Sequence, residues 1–286
     1  MKKSLHFGPV ILCILVLPVL LFTGCGSSAK KTAAAASKEV SKSASTKVES
    51  TAAKDSTNKT KVDINKNDTG KTVIRTISTD PTYRNNSYAI ISKSGTEIIV
   101  DPTSAVDGLK PDVITSTHNH PDHNDPVLDS KTNCKKSYYT VESFDVKDAH
   151  IFSIASSHMG NDIDKQNPTN VIYVFEVDGL RIAHMGDIGQ DSLTPEQLKA
   201  IGKIDIAFMQ FANSYSDYSF ANGKGFKVIE QLKPQIIIPT HSDPDCTKKI
   251  GDILGSYQSV DDVLAISKDD LKDGKRKVVE IYDNLY

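Results

Sequence analysis

His118-Asn119-His120-Pro121-Asp122-His123 places three imidazoles and a carboxylate within six residues. The β-branched pair Val113-Ile114 lies just upstream, followed by Thr115-Ser116-Thr117. That run reads as a buried strand, so the cluster sits on the loop at its end. Imidazole is the commonest protein metal ligand, and a carboxylate completes a hard or borderline site. His118 and His120, two positions apart, can reach one ion from a turn. Asp122 and His123 project the other way, toward a second.

Three more candidates follow in order. His158 stands in Ser156-Ser157-His158-Met159-Gly160. Asp187 stands in His184-Met185-Gly186-Asp187, after the strand-like Gly179-Leu180-Arg181-Ile182-Ala183. His241 closes Ile236-Ile237-Ile238-Pro239-Thr240-His241. Each is expected at a strand end or on an adjacent loop, where a rigid scaffold usually carries function. The HxHxDH spacing, with the ordered His, Gly-Asp and Pro-Thr-His, resembles the metallo-β-lactamase superfamily over roughly residues 72 to 245. Five of the eight histidines fall on its expected positions. The resemblance implies an α/β fold, a four-layer αββα sandwich with metals at one edge. It also implies that His118, His120 and His158 bind one ion, that Asp122, His123 and His241 bind a second, and that Asp187 bridges them. Asp122 and Asp187 are then the catalytic carboxylates, Asp122 also orienting the hydroxide. The cofactor expected is a pair of divalent ions. Zinc suits the imidazole-rich set; manganese and iron are the alternatives.

The residue at 187 separates branches. Antibiotic-hydrolysing relatives commonly carry Cys there, whereas glyoxalase II, RNase Z and the lactonases carry a carboxylate, which argues against β-lactamase activity. Flavodiiron relatives place Glu where His120 stands. RNase J-like nucleases insert a whole domain before the last histidine, and here only 53 residues separate Asp187 from His241. The short segment, a strand ending in Asp101-Pro102 and the Pro-Thr-His ending look most like the ascorbate-phosphate lactonase-like branch, of which N-acyl-phosphatidylethanolamine phospholipase D is a more distant member.

Several residues carry two readings. His184 is either a partner that orients a ligand or a satisfied strand-end histidine, and His150 is read as no ligand. Tyr215 or Tyr218, in Asn213-Ser214-Tyr215-Ser216-Asp217-Tyr218, is either a hydrogen-bond donor to a developing oxyanion or a surface tyrosine. Lys224 is a weaker candidate for contacting an anionic substrate.

The N-terminus reads as an export signal over residues 1–24, with Lys2-Lys3 followed by the apolar run Val10 to Phe22. That run is short of the roughly 20 residues a spanning helix needs. Leu21-Phe22-Thr23-Gly24-Cys25 resembles a bacterial lipobox, with Phe22 departing from the usual Leu, so Cys25 is the expected lipidation site. Residues 25–69, rich in Ala, Ser, Lys and Thr, read as a disordered tether that cannot bury a core. Residues 70–286 suit one domain. The 34 Lys and Arg against 36 Asp and Glu leave no basic excess, so no nucleic-acid partner is expected. Cys134 and Cys246, both in the mature domain, are either a disulfide or two free thiols.

Strands are expected over 72–78, 87–91, 96–100, 111–114, 137–141, 150–154, 171–177, 180–183, 204–209 and 236–238. A helix begins at Thr194-Pro195-Glu196, another spans 222–232, and Ser259-Val260-Asp261-Asp262 resembles a further helix start. The expected function is an extracytoplasmic, lipid-anchored hydrolase that activates water against an ester, lactone or phosphodiester in a small-molecule substrate. The alternative is a non-catalytic surface lipoprotein that binds metal or a ligand.

Overall fold

A computed structural model describes residues 63–82, 86–242 and 244–282. The signal-like run, the lipobox and most of the tether lie outside these residues. Strands β1 (Thr72–Thr76), β2 (Tyr88–Ile91), β3 (Glu97–Val100), β4 (Val113–Ser116) and β5 (Lys135–Tyr138) form most of the first sheet, with helix α1 (Pro126–Lys131) between β4 and β5. Then come β6 (Ser143–Val146), β7 (Ala149–Ser156), β8 (Asn170–Val177), β9 (Leu180–His184), α2 (Pro195–Ile201), β10 (Ile206–Gln210), α3 (Lys224–Leu232) and β11 (Ile236–Thr240). The chain continues through α4 (Pro244–Leu254), β12 (Ser256–Asp261), β13 (Leu264–Ile266) and β14 (Lys277–Tyr282).

The first sheet has the order β13-β1-β2-β3-β4-β5 and the second β12-β14-β11-β10-β9-β8-β7-β6. Both are mixed. In the first, β3, β4 and β5 run parallel; in the second, β9, β10, β11, β14 and β12 do. The central strands are apolar on both faces because both faces are covered. Three separate cores define the layers. Ile74, Ile90, Ile98, Phe175, Ile182 and Phe208 pack between the sheets. Ala183, Ile201, Val228, Ile229 and Ile250 join the second sheet to α2, α3 and α4. Val73, Ile91, Ile99, Ile114 and Leu128 join the first sheet to α1. This is the αββα sandwich, with a thin outer layer over the first sheet.

Chain polarity positions the site. The parallel strands β9, β10 and β11 end at one edge, and β7, two antiparallel steps from β9, ends there too. In the first sheet, β3 and β4 end in parallel. Loops after strand carboxyl ends are where α/β folds gather ligands.

One expectation changes. Ser259-Val260-Asp261-Asp262 does not start a helix. Ser259 to Asp261 end β12, which pairs along β14 from Ser256↔Lys277 to Asp261↔Tyr282. A ladder with a distant strand outweighs local capping residues here. Packing against the first sheet also reaches back before residue 70. Ile64 packs against the outer core of the first sheet, Arg75 Nη1 donates to Ile64 O at 3.0 Å, and Asn67 Nδ2 donates to Ser92 O at 2.9 Å. Composition missed this because one isoleucine and one amide suffice to anchor the segment. Of the readings left open for Cys134 and Cys246, a bridge between the two is not made, because Cys134 is a free thiol. Among the described residues no helix is long and apolar enough to cross a membrane.

Candidate metal centre

The loop after β4 is held by its own backbone. Ser116 Oγ donates to His118 O (3.1 Å) and His123 O (2.9 Å), and Asn124 Nδ2 donates to His120 O (2.8 Å). These bonds satisfy carbonyls that a tight turn would otherwise strand. They turn His118 and His120 to one side and His123 to the other. His158 follows β7, Asp187 follows β9 and His241 follows β11. All seven residues singled out from the sequence come together in two groups. His118, His120, His158 and Asp187 form one, and Asp122, His123 and His241 the other, with donor atoms within 4.8 Å of one another in each.

Asp187 stands between the groups and divides its oxygens between them. Its Oδ2 lies 3.7 Å from His118 Nε2 and 3.8 Å from His158 Nε2. Its Oδ1 lies 2.9 Å from His241 Nε2 and 3.7 Å from His123 Nε2. Within the groups, His118 Nε2 approaches His120 Nδ1 at 3.1 Å and His241 Nε2 approaches His123 Nε2 at 3.2 Å. A tetrahedral ion with bonds of about 2.0–2.1 Å spaces its nitrogens by about 3.3 Å, so these separations suit a shared ion. Two buried atoms mark the same place: His158 Nε2 and Asp187 Oδ1 accept or donate no hydrogen bond. The 2.9 Å approach of His241 to Oδ1 lacks hydrogen-bond alignment. Buried polar atoms left unpaired are costly, and a cation between them removes that cost. The residues fit a metal pair.

Electrostatics follow from burial and crowding. Burial holds the His118 ring neutral, down to about 2, with the neighbouring His123 acting in the same direction. Burial also lowers His158. Burial would lower His123 as well, but Asp101, whose Oδ2 sits 2.8 Å from its Nδ1, outweighs it and raises His123 to about 9. The same pairing brings Asp101 down to about 2 against the upward push of burial. Asp187 is held well below the usual carboxylate range: burial opposes this, and the His241, His123 and His118 rings prevail.

A family model for the "Beta-lactamase superfamily domain" matches residues 82–241, a span that contains all seven residues. The chain belongs to the metallo-β-lactamase superfamily. Its fold is similar to that of a candidate Zn-dependent hydrolase of this superfamily from Thermotoga maritima, at 22% identity and a TM-score of 0.56, covering 74% of this chain and 99% of that one. A candidate metal-dependent hydrolase from Parabacteroides distasonis gives 22% identity and a TM-score of 0.49 over 73% of this chain and 92% of that one. No curated protein matches the chain.

Around these seven residues lies a ring of supporting residues that the sequence did not single out. Asp101 accepts from Thr117 N and Thr117 Oγ1, both at 2.7 Å, as well as facing His123. Its Asp-Pro strand end was visible; its contact with His123 was not. Asn170 Oδ1 accepts from Asp187 N (3.0 Å), and Asn86 Oδ1 accepts from His241 N (3.2 Å). Asn213 Nδ2 donates to Asp187 Oδ2 at 2.7 Å. Gly186 has φ +56°, and a Cβ there would lie 2.4 Å from Asn170 Oδ1.

The residues with two readings also resolve. Tyr218 is buried and its hydroxyl donates to Gln190 O at 2.7 Å, which makes it structural. Tyr215 is 78% exposed on the same turn. Lys224 is clamped between Asp217 (2.7 Å) and Asp191 (2.9 Å) and offers no free charge to an anion. His184 is buried and accepts from Gly186 N at 3.1 Å through Nδ1, its Nε2 unpaired, and burial lowers it to about 4. It is neither a member of the two groups nor fully satisfied. His150 lies away from the site, against Asp145.

Proposed function

We propose that this protein is a hydrolase with a dinuclear metal centre that activates water against an ester, lactone or phosphodiester. The carrying observation is the division of Asp187, one oxygen toward each group of ligands. A structural staple needs one closed set of ligands, whereas two adjoining sets that share a carboxylate suit catalysis at an open edge. When bound, a pair of divalent ions lowers the pKa of water at the site from about 16 to about 7 and neutralises charge on the attacked group. Zinc is the first choice for so many imidazoles.

The chain's residues do the rest. His118, buried and neutral, presents a lone pair without first losing a proton. His123 is aimed by Asp101, which accepts a hydrogen bond from its Nδ1 and leaves Nε2 for the centre. Asp122, whose side chain is 28% exposed at the mouth, stands 3.7 Å from His123 Nε2 and is placed to accept a proton from the attacking water. In the same proposal the protein works outside the cytoplasm, anchored through lipid on Cys25. More than one acyl chain gives stable anchoring, and the lipobox supports this reading.

Elemental analysis of protein prepared without chelator tests the centre; close to two transition-metal ions per chain are expected. Asp187→Ala is expected to lose the second ion more readily than the first, since three histidines remain for the first, and to lower ester or phosphodiester hydrolysis by orders of magnitude. Metal-loaded protein that turns over no ester, lactone or phosphodiester would favour a non-catalytic metal-binding lipoprotein. Full activity in the variant would misplace the site.

A further inference from the structure

The bridging carboxylate is itself held, and from one side only. Asn213 is buried, on the turn after β10. Its Nδ2 donates to Asp187 Oδ2 at 2.7 Å and to Gln210 Oε1 at 2.8 Å. Its Oδ1 accepts from Tyr215 N at 3.0 Å, which fixes which end of the amide faces Asp187. Gln210 is fixed in turn, its Nε2 donating to Ile188 O (2.7 Å) and Ser216 Oγ (2.8 Å). The backbone just after Asp187 is thus tied to the same buried amide relay through Ile188 O, and only Oδ2 receives a hydrogen bond. Oδ1, facing His123 and His241, receives none.

A carboxylate rotates about Cβ–Cγ. Left free, it can turn both oxygens toward one ion. A donor on Oδ2 alone sets the plane of the group and occupies a lone pair that would otherwise permit chelation. It also draws charge from Oδ2 and leaves Oδ1 the more basic oxygen. We propose that Asn213, backed by Gln210, is a positioning residue that makes Asp187 bridge, by reserving Oδ1 for the Asp122–His123–His241 group. This rests on the dinuclear reading above.

The test is stepwise metal binding, read without turnover. Metal-free full-length protein is titrated with zinc against a chromogenic chelator, and with cobalt by its visible spectrum. Asn213→Ala is expected to weaken the second ion about 10- to 100-fold, the usual effect of removing a group that orients a ligand. The first ion should change little, while the metal-free protein should melt somewhat lower, since Tyr215 N loses its acceptor. Gln210→Ala, one bond further away, should shift the second ion in the same direction by less, and it serves if Asn213→Ala fails to fold. Wild-type affinity for both ions in the two variants would overturn the proposal. So would equal weakening of both ions, since that marks a merely structural amide. Wild-type protein that takes up only one ion would overturn this proposal and the dinuclear reading together, whereas two ions in wild type with unchanged variants would overturn this one alone.

Discussion

At the residue scale, the centre depends on carboxylates that touch histidines rather than on histidines alone. Asp101 is the clearest case, because the His123 ring is raised to about 9 by a charge that contacts no proposed ion directly. Asp101→Asn keeps the shape and removes the charge. The His123 ring should then titrate lower in the metal-free protein, followed by NMR, and binding of the second ion should weaken about 10- to 100-fold. An unchanged ring titration would show that Asp101 does not set it. Away from the site, Glu97 is buried on the outer face of the first sheet. Its Oε1 is unpaired and its carboxyl is pushed up to about 7 by burial, against a weak bond from Lys110 N. A raised folded-state pKa means that Glu97 contributes stability fully below about 4.5, and that this is lost as pH rises through about 7. The loss amounts to at most about 3 kcal/mol. Glu97→Gln should flatten the fall in melting temperature between pH 5 and 8; an identical slope in the variant would assign that fall to other groups.

At the element scale, strand polarity and close backbone approach place the ligands. Gly189, two residues after Asp187, runs against the loop that carries His158. Its N–H donates to Ser157 O at 2.7 Å, and a Cβ would sit 2.2 Å from His158 O and 2.8 Å from Met159 Cα. These are backbone atoms, so the loop itself must move. Gly189→Ala should cost about 1–3 kcal/mol in metal-free stability and should displace His158, weakening the first ion. This is the opposite preference to Asn213→Ala, and titration of the two ions in both variants reads it directly. A Gly189→Ala protein with normal first-ion affinity would show that the loop adapts.

At the scale of the whole molecule, the domain begins where packing begins. Composition draws the boundary near residue 70, but Ile64, Asn65 and Asn67 already bond to the body of the fold. Trypsin should therefore spare Lys66 in the stable fragment. Cleavage after Lys66 in the resistant fragment would return the boundary to 70. If the lipobox reading holds, the full-length protein partitions with membranes, and Cys25→Ser stops lipidation and processing. Unlipidated wild-type protein in the medium would remove the anchor and leave the hydrolase proposal standing.

Much of this was legible in the sequence because its signals are local. Alternating and continuous apolar runs mark Asn170 to Val177 and Ile236 to Ile238 as strands, Thr194-Pro195 marks a helix start, and imidazoles two or three residues apart mark a metal loop. The capping box at Thr194 and Gln197 forms in full. The sequence by itself thus determined most of the central strands and, through its resemblance to the superfamily, the layered fold and the seven residues that meet. Tertiary structure alone decided what lies between them. Helix α4 begins at Pro244 and packs Ile250 into the outer core, and Ser256 to Asp261 became a strand because β14 offered an edge. Asp101, Asn170 and Asn213 reach the centre from 17 to 26 residues away from the ligands they hold, by hydrogen bonds between separate strand ends. Asn, Asp and Gln are common in turns for local reasons. Nothing in their neighbours tells a turn amide from one aimed at a metal ligand, because that distinction exists only once distant strands are paired.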